Sequence, residues 1–166
     1  MIRRYRIVDS PIGPLTVAGR DSILTNVRMV DQTYEPSRAD WSPDPWAFGG
    51  VVEQLNAYFA GELTDFDIEL DPRGTEFQRR VWNALLTIPY GETRSYGAIA
   101  EQIGAPGCAR AVGWANGHNP IAIVIPCHRV IGANGSLTGY GGGLDRKRSL
   151  LELEKRHASV NLTLFD

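Results

Sequence analysis

A short apolar run, Ile121-Ala122-Ile123-Val124-Ile125, is bounded by proline on both sides and constrains the fold more than any other stretch. Its length and its β-branched residues favour a buried strand, although periodicity alone does not separate such a strand from a core helix segment. Pro126 cannot donate to a sheet ladder, so the strand is expected to end there. Cys127 then lies at a strand end, with the imidazole of His128 beside it in sequence.

This cysteine–histidine pair has two interpretations. A thiolate is the nucleophilic form of cysteine, and a neighbouring base or positive charge raises the thiolate fraction. Alternatively, Cys127 is a buried structural cysteine and His128 a surface residue. The rest of the chain favours the nucleophile.

The pentapeptide Pro126-Cys127-His128-Arg129-Val130 resembles the active-site signature of the O6-alkylguanine-DNA alkyltransferases, the methylated-DNA–protein-cysteine methyltransferases. A weaker likeness covers Ser10–Gly13 and Tyr58–Leu63, so the resemblance spans nearly the whole chain. Between and beyond these stretches the residues that match the family pattern are Tyr96, Arg110, Asn119-Pro120, Tyr140-Gly141-Gly142-Gly143 and Glu154.

The charge of the chain is divided unevenly. Residues 1–71 carry six arginines against twelve acidic residues, a net charge of −6, whereas residues 72–166 carry eleven basic against seven acidic residues, a net charge of +4. Such asymmetry indicates a basic half that faces a polyanion. An uneven distribution of solvated charges is the alternative. The small positive balance predicts few phosphate contacts.

Several classes of protein are disfavoured by composition. No apolar run approaches the ~18 residues of a membrane-spanning helix, and the N-terminus lacks a signal-peptide core, so we expect a cytoplasmic, nucleoid-associated protein. Two cysteines, Cys108 and Cys127, form no disulfide framework, and three histidines without clustered spacing predict no metal site.

The first half of the chain is predicted to be a small α/β domain that ends near residue 72. Three short strands are predicted as an antiparallel meander, at 4–8, 15–18 and 23–27. Residues 31–45 are predicted to be a loop in which Trp41 and Trp46 serve as packing anchors. A helix then leads to Gly61, and alternation of apolar and acidic residues over Phe66–Leu70 predicts a half-buried strand.

The second half is predicted to be mainly helical. Thr75-Glu76-Phe77-Gln78 has the form of a capping box ahead of a wide apolar stripe. Ser95 is expected to cap a helix through Ile103, and a second helix should follow from about Cys108 to Asn116. Two helices joined by a glycine-containing turn suggest a helix-turn-helix, although many helical hairpins bind no DNA.

The last part of the chain combines a glycine-rich segment with a helix. Six glycines between Gly132 and Gly143 allow backbone to approach a ligand, and a flexible surface loop is the alternative. A helix is predicted from Leu144 to about His157. Glu154 shares its apolar face, so this carboxylate must be paired, shifted in pKa, or extended to solvent.

The resemblance implies the catalytic residues. Cys127 is the alkyl acceptor, His128 the base that takes its proton through a water, and Glu154 the group that orients the histidine, as in hydrolytic triads. Asn119 braces the turn that carries Cys127, or it provides simple Asn-Pro turn chemistry. Tyr96 helps to rotate the nucleotide, or it is a packing tyrosine.

The resemblance also implies how DNA is held. The substrate carbon lies inside a duplex, so the nucleotide must be extruded. Arg110 fills the vacated stack from a helix in the minor groove, where small neighbours suit a close approach; a solvated or phosphate-contacting arginine is the alternative. These neighbours are Ala109, Ala111 and Gly113, and the implied base pocket is formed by Val130, Tyr140, Gly141 and Gly142. Trp114 departs from the family pattern, and Lys147 matches a recurrent basic position to which the sequence assigns no role.

The resemblance therefore implies two domains. Residues 1–72 form an α/β, ribonuclease H-like domain, and residues 73–166 form a mainly helical, winged-helix-like DNA-binding domain with a helix-turn-helix. The implied activity is irreversible, stoichiometric alkyl transfer from O6-alkylguanine in double-stranded DNA to Cys127, with O4-alkylthymine left open. No cofactor is expected, because the damaged DNA is the donor. We expect a monomer in solution, with cooperative binding on DNA left open.

Two rival functions differ from this one in a testable way. A non-catalytic sensor of alkylated DNA, or a helix-turn-helix regulator, would bind without acquiring an alkyl group. A thiol hydrolase acting on a small ester would turn over many times.

Overall fold

The computed structural model describes the backbone of residues 2–165 and the side chains of residues 2–158. The first part of the chain forms four strands, β1 (Arg3–Val8), β2 (Leu15–Arg20), β3 (Ile23–Met29) and β4 (Trp41–Pro43). The first three form an antiparallel meander, as predicted, in a sheet of order β3-β2-β1-β4.

Strand β4 corrects the prediction that residues 31–45 are all loop. It pairs in parallel with β1, and it left no apolar pattern in the sequence because two of its three residues are exposed. Trp41 is buried and packs against Tyr5, as expected of an anchor. The expectation for Trp46 was wrong, since this residue is 87% exposed.

Helix α1 (Gly49–Phe59) covers this sheet with an apolar face. Val51, Leu55 and Tyr58 are its buried residues, at the spacing of one helix face. Gly61 ends the helical segment with a φ of 77°, and a Cβ atom there would collide with the His157 ring. The end of α1 therefore packs closely on the last helix of the chain.

The strand predicted over Phe66–Leu70 does not form, because most of this segment is not paired with a neighbouring strand. The alternation of half-buried and exposed residues is present, but only Leu70 forms a bridge, to Leu24. The side chain of Gln54 bonds both backbone groups of Asp67, at 2.9 Å and 2.8 Å. A side chain thus takes the place of a neighbouring strand.

The second half begins with three helices, of which the first two start at the predicted caps. They are α2 (Glu76–Leu85), α3 (Tyr96–Gln102) and α4 (Ala109–Gly117). Thr75 and Gln78 form the capping box, and the Ser95 hydroxyl accepts from Ala98 N at 3.0 Å. Gly104 and Gly107, both at positive φ, lie in the turn between α3 and α4.

The apolar run before Cys127 is buried as predicted, but it is not a strand. Only Ile121 bridges β3, at Val27, and the following residues turn. Ile125 N donates to Ile121 O at 3.0 Å, and Ile123 has a φ of 72°. Burial on all sides explains the β-branched composition, which therefore reports a core position and not an extended backbone.

A short 3-10 helix (Cys127–Arg129) follows, so Cys127 begins a helical turn and does not end a strand. Strand β6 (Val130–Ile131) then pairs in parallel with β5 (Arg94–Ser95). The glycine-rich segment leads into α5 (Leu144–Phe165), which extends beyond the predicted end at His157. No helix in the described part of the chain is long and apolar enough to cross a membrane.

Candidate active site

The thiol of Cys127 lies in the core, with 5% of the residue exposed. Asn119 fixes the turn before it, because its side chain accepts from Ile121 N at 3.0 Å and donates to Ile125 O at 2.8 Å. The amide of Asn116 also donates to Cys127 O at 3.2 Å. The backbone on both sides of the cysteine is therefore held by buried amide side chains.

The imidazole of His128 is fully buried and is held by Glu154 of α5. The distance from Nε2 of His128 to Oε2 of Glu154 is 2.6 Å. An ionised carboxylate can only accept, so Nε2 carries the proton and Nδ1 is the basic nitrogen of the neutral ring. Nδ1 makes no hydrogen bond within the described residues, which leaves it available for a proton.

Glu154 is also the counterion of Arg129, a pairing that the sequence did not reveal. Arg129 donates from Nε to Oε1 at 2.7 Å and from Nη2 to Oε2 at 3.0 Å. Its third nitrogen, Nη1, donates to Ile88 O at 2.7 Å. A buried arginine of this kind requires a carboxylate partner, and its place beside His128 in sequence was the available signal.

The same carboxylate receives a further side chain from the first half of the chain. Tyr58 of α1 donates its hydroxyl to Oε2 of Glu154 at 2.6 Å, and Gly91 N donates to Oε1 at 3.4 Å. The helical spacing in the sequence places Tyr58 on an apolar stripe and indicates nothing further. A buried tyrosine on such a stripe needs a partner for its hydroxyl, and this requirement is the signal that points to it.

The charge states follow from these contacts. Burial alone would raise the pKa of Glu154, but the charges and hydrogen bonds of His128 and Arg129 outweigh it and hold that pKa well below its ordinary value. Burial lowers the pKa of His128, with Glu154 opposing the shift. The resting pair is thus an ionised carboxylate and a neutral imidazole.

The thiol itself is placed between opposing influences. Burial raises the pKa of Cys127, whereas the side chains of Asn119, Lys147 and Tyr140 act to lower it. A thiol of this kind remains protonated at rest and needs a base to release its proton. The neutral His128, which directly follows Cys127 in the sequence, is a candidate for this base.

Lys147, to which the sequence assigned no role, is a buried cation close to the thiol. Its Nζ donates to Val130 O at 2.6 Å and to Thr138 O at 2.8 Å, which ties the glycine-rich segment to β6. Burial lowers the pKa of Lys147 to about 8, and the neighbouring Cys127 acts in the opposite direction. Its positive charge favours a thiolate at Cys127.

An open cavity of about 730 Å³ lies over this cluster, between α4, the glycine-rich segment and the loop after β3. Tyr140 connects the two, since it lines the cavity and acts on the pKa of Cys127. Tyr96 also lines it and accepts from Thr138 Oγ1 at 3.0 Å. The full lining is Thr33, Tyr34, Tyr96, Ala109, Arg110, Gly113, Gly117, Thr138, Gly139, Tyr140 and Gly141.

Most predicted DNA and pocket residues lie on this cavity, but three do not. Val130 is buried, its backbone N–H donates to Cys127 O, and its carbonyl accepts from Lys147. Gly142 packs against Met29. Ala111 is exposed on another part of α4. Arg110 is exposed and makes no hydrogen bond or ion pair with the described residues. The Arg110 side chain is therefore available to contact a bound ligand.

Two cavity residues from the first half were missed. Thr33 N donates to Gly141 O at 3.0 Å, and the Tyr34 ring stacks on His118 with centroids 3.7 Å apart. Polar loop residues give no sequence signal for such contacts. Among the described residues, no group of three or more His, Cys, Asp and Glu side chains is arranged to hold a metal ion.

Two family models match the chain in succession. The model described as 6-O-methylguanine DNA methyltransferase, ribonuclease-like domain, matches residues 3–72. The model described as 6-O-methylguanine DNA methyltransferase, DNA binding domain, matches residues 76–156. The two together cover most of the chain.

Relatives of similar length give the same result. The methylated-DNA–protein-cysteine methyltransferase of Mycobacterium tuberculosis strain H37Rv is 76% identical over 162 residues, which are 98% of each chain. The protein of that name from Mycolicibacterium paratuberculosis is 79% identical over the same length and the same shares of both chains. A crystal structure of the M. tuberculosis OGT in complex with DNA has a TM-score of 0.92 and 76% identity, covering 98% of this chain and 99% of that chain.

The fold and the site define a class of protein in which an N-terminal ribonuclease-like domain adjoins a C-terminal DNA-binding domain that buries a cysteine, a histidine and a glutamate together. This chain belongs to the 6-O-methylguanine DNA methyltransferase family.

Proposed function

We propose that this chain repairs alkylated DNA as a methylated-DNA–protein-cysteine methyltransferase, taking the alkyl group from O6 of guanine onto its own Cys127. The observation that carries the proposal is the buried cluster in which Glu154 holds Nε2 of His128 and leaves Nδ1 basic, in the residue that directly follows Cys127. The name of the relatives that are 76–79% identical supports the same activity.

The chemistry is a single displacement. The Cys127 proton passes to Nδ1 of His128 through a bridging water, and the thiolate bonds to the alkyl carbon. The bond between that carbon and O6 breaks, and its electron pair leaves with guanine, which takes up a proton. Glu154 and Lys147 offset the charges that form on the imidazole and the thiol. The thioether is stable, so each chain acts once.

Access to the carbon requires the nucleotide to leave the stack, at a cost of a few kcal/mol. In our proposal α3 and α4 act as a helix-turn-helix in the minor groove of a duplex, with Ala109 and Gly113 at the point of approach. Arg110 replaces the extruded nucleotide, and Tyr96 assists its rotation. The exposed, unpaired side chain of Arg110 and the cavity beside it support this assignment.

The remaining assignments are also proposals. The domains divide at residues 72 and 73, and the protein acts as a monomer on DNA in the cytoplasm. Tyr140 and Gly141 frame the extruded base, and Asn119 keeps the thiol in register with it. The two rival functions are not favoured, because Cys127 is present in the cluster and the relatives carry a transferase name.

Intact mass after mixing with a duplex that contains O6-methylguanine tests the proposal. We expect one methyl group per chain, located on Cys127 by peptide mapping. Cys127→Ala should acquire none and still bind the alkylated duplex. Cys108→Ala is the matched control, since Cys108 is exposed, and it should be methylated like the wild type. A methyl group on Cys108, or repeated turnover, would overturn the proposal.

A further inference from the structure

The catalytic cluster is completed by a residue of the N-terminal domain. Tyr58 and Glu154 are 96 positions apart in sequence, yet the Tyr58 hydroxyl lies 2.6 Å from Oε2 of Glu154 in a fully buried contact. This is the same oxygen that holds Nε2 of His128 at 2.6 Å. The base of the relay and a tyrosine of α1 therefore share one acceptor atom.

The direction of the Tyr58 bond is determined by its partner. Glu154 is ionised and can only accept, so the phenol donates. Burial and the neighbouring carboxylate raise the pKa of Tyr58 well above its ordinary value, and the hydroxyl keeps its proton. Donation by Tyr58 withdraws negative charge from Oε2, which makes that oxygen a weaker partner for an imidazolium at His128.

We infer that Tyr58 is a positioning residue for alkyl transfer, which acts through Glu154 on His128 and so sets how readily Cys127 gives up its proton. The inference rests on the proposed function. It places one control of the reactivity of the thiol in the N-terminal domain, outside the segment that carries the cysteine signature.

Other groups also face this carboxylate, and the test must leave them in place. They approach from the 3-10 helix, from the loop after α2 and from the glycine-rich segment. Tyr90 packs edge-on against Tyr58, with ring centroids 6.2 Å apart, but its hydroxyl makes no hydrogen bond within the described residues. Besides Tyr58, the charged or titratable groups that act on this carboxylate are Tyr90, His128, Arg129 and Tyr140. Lys147 acts on the His128 ring and Arg156 on Tyr90.

Tyr58→Phe removes only the donated hydrogen bond, and Tyr90→Phe is the matched control, since it removes an unbonded hydroxyl from the neighbouring ring. The measurement is the pH dependence of alkylation by free O6-benzylguanine, which needs no extrusion from DNA. With one donor fewer, Oε2 stabilises the imidazolium better. We expect the midpoint of the pH–rate profile to be about half a pH unit lower in Tyr58→Phe than in the wild type. On the acid side of the profile, the rate of Tyr58→Phe should then be about threefold higher. Tyr90→Phe should match the wild type.

The outcomes distinguish a failure of the proposed function from a failure of the role of Tyr58. If the wild type does not transfer the benzyl group, the proposed function fails. If it does, an unchanged or higher midpoint for Tyr58→Phe, or an equal shift for Tyr90→Phe, overturns the inference alone. A second measurement avoids dependence on activity: in a Cys127→Ala background, the imidazole pKa of His128, followed by nitrogen NMR, should rise when Tyr58→Phe is added. A constant value contradicts the inference.

Discussion

The imidazole of His128 has one nitrogen engaged with Glu154 and one nitrogen without a protein partner among the described residues. The two nitrogens differ because a single carboxylate oxygen lies 2.6 Å from Nε2. The motif predicted these two residues and Cys127. It did not predict Arg129 or Tyr58 as further donors to Glu154, because local spacing does not show which distant carboxylate a buried side chain contacts.

Glu154→Gln should disturb both reactivity and stability. A neutral amide stabilises imidazolium less, so the apparent pKa of Cys127 reactivity should rise by about one unit. The variant also leaves Arg129 buried without its counterion, which typically costs about 3–5 kcal/mol, or a melting temperature lower by about ten degrees. The pH–rate profile and a thermal melt measure the two effects.

Glu152→Gln is the control for that variant. Glu152 lies on the same helix but is exposed, so its loss of charge should leave both the profile and the melt near the wild type. If Glu154→Gln has an unchanged profile, its carboxylate is structural only.

At the scale of the element, local chemistry was predicted better than pairing. The capping box at Thr75 and the cap at Ser95 appear as expected, because each is complete within four residues. The strand predicted over Ile121–Ile125 is a buried turn, because Asn119 bonds both ends of it and these bonds replace a ladder. The apolar composition of this run correctly predicted that it is buried, but it did not determine the conformation of its backbone.

Helix α4 provides the test of extrusion. Arg110→Ala should slow repair in duplex DNA by about tenfold or more, because the cost of unstacking is no longer offset. Alkylation by free O6-benzylguanine should be unaffected, since this substrate has no stack to leave. Single-turnover rates with both substrates give the comparison.

Arg79→Ala is the matched control for Arg110→Ala. It removes the same charge from an exposed position on α2 that does not line the cavity. Its rates with duplex and free base should stay close to the wild type. An equal loss of both rates in Arg110→Ala would assign Arg110 to the fold or the chemistry.

At the scale of the whole molecule, the reaction product is expected to weaken the fold. Cys127 is buried among packed side chains, so an added carbon overpacks the site, at a typical cost of about 1–3 kcal/mol. A thioether also accepts hydrogen bonds only weakly, so it is a poorer acceptor than a thiolate for the polar groups around it.

The methylated protein should therefore melt several degrees below the free thiol form, at about 2–4 °C for each kcal/mol. Stoichiometric methylation by alkylated DNA, followed by a thermal melt of both forms, measures the difference. Cys127→Ala treated in the same way should show no change. An equal or higher midpoint for the methylated protein would mean that the site has room for the alkyl group.

The division of the cluster between segments also has a consequence for synthesis of the protein. The ribosome makes the acceptor cysteine first, and Glu154 follows His128 by 26 residues. At translation rates of about 5–20 residues per second, an interval of about one to five seconds separates the thiol from the carboxylate that orients its base. A nascent chain in that interval, or a truncated product that ends within it, contains Cys127 and His128 but lacks Glu154, so the histidine is not oriented to accept the thiol proton. Only chains that have added the first half of the last helix, as far as Glu154, become reactive, so the thiol of an incomplete copy is not consumed before the cluster is complete.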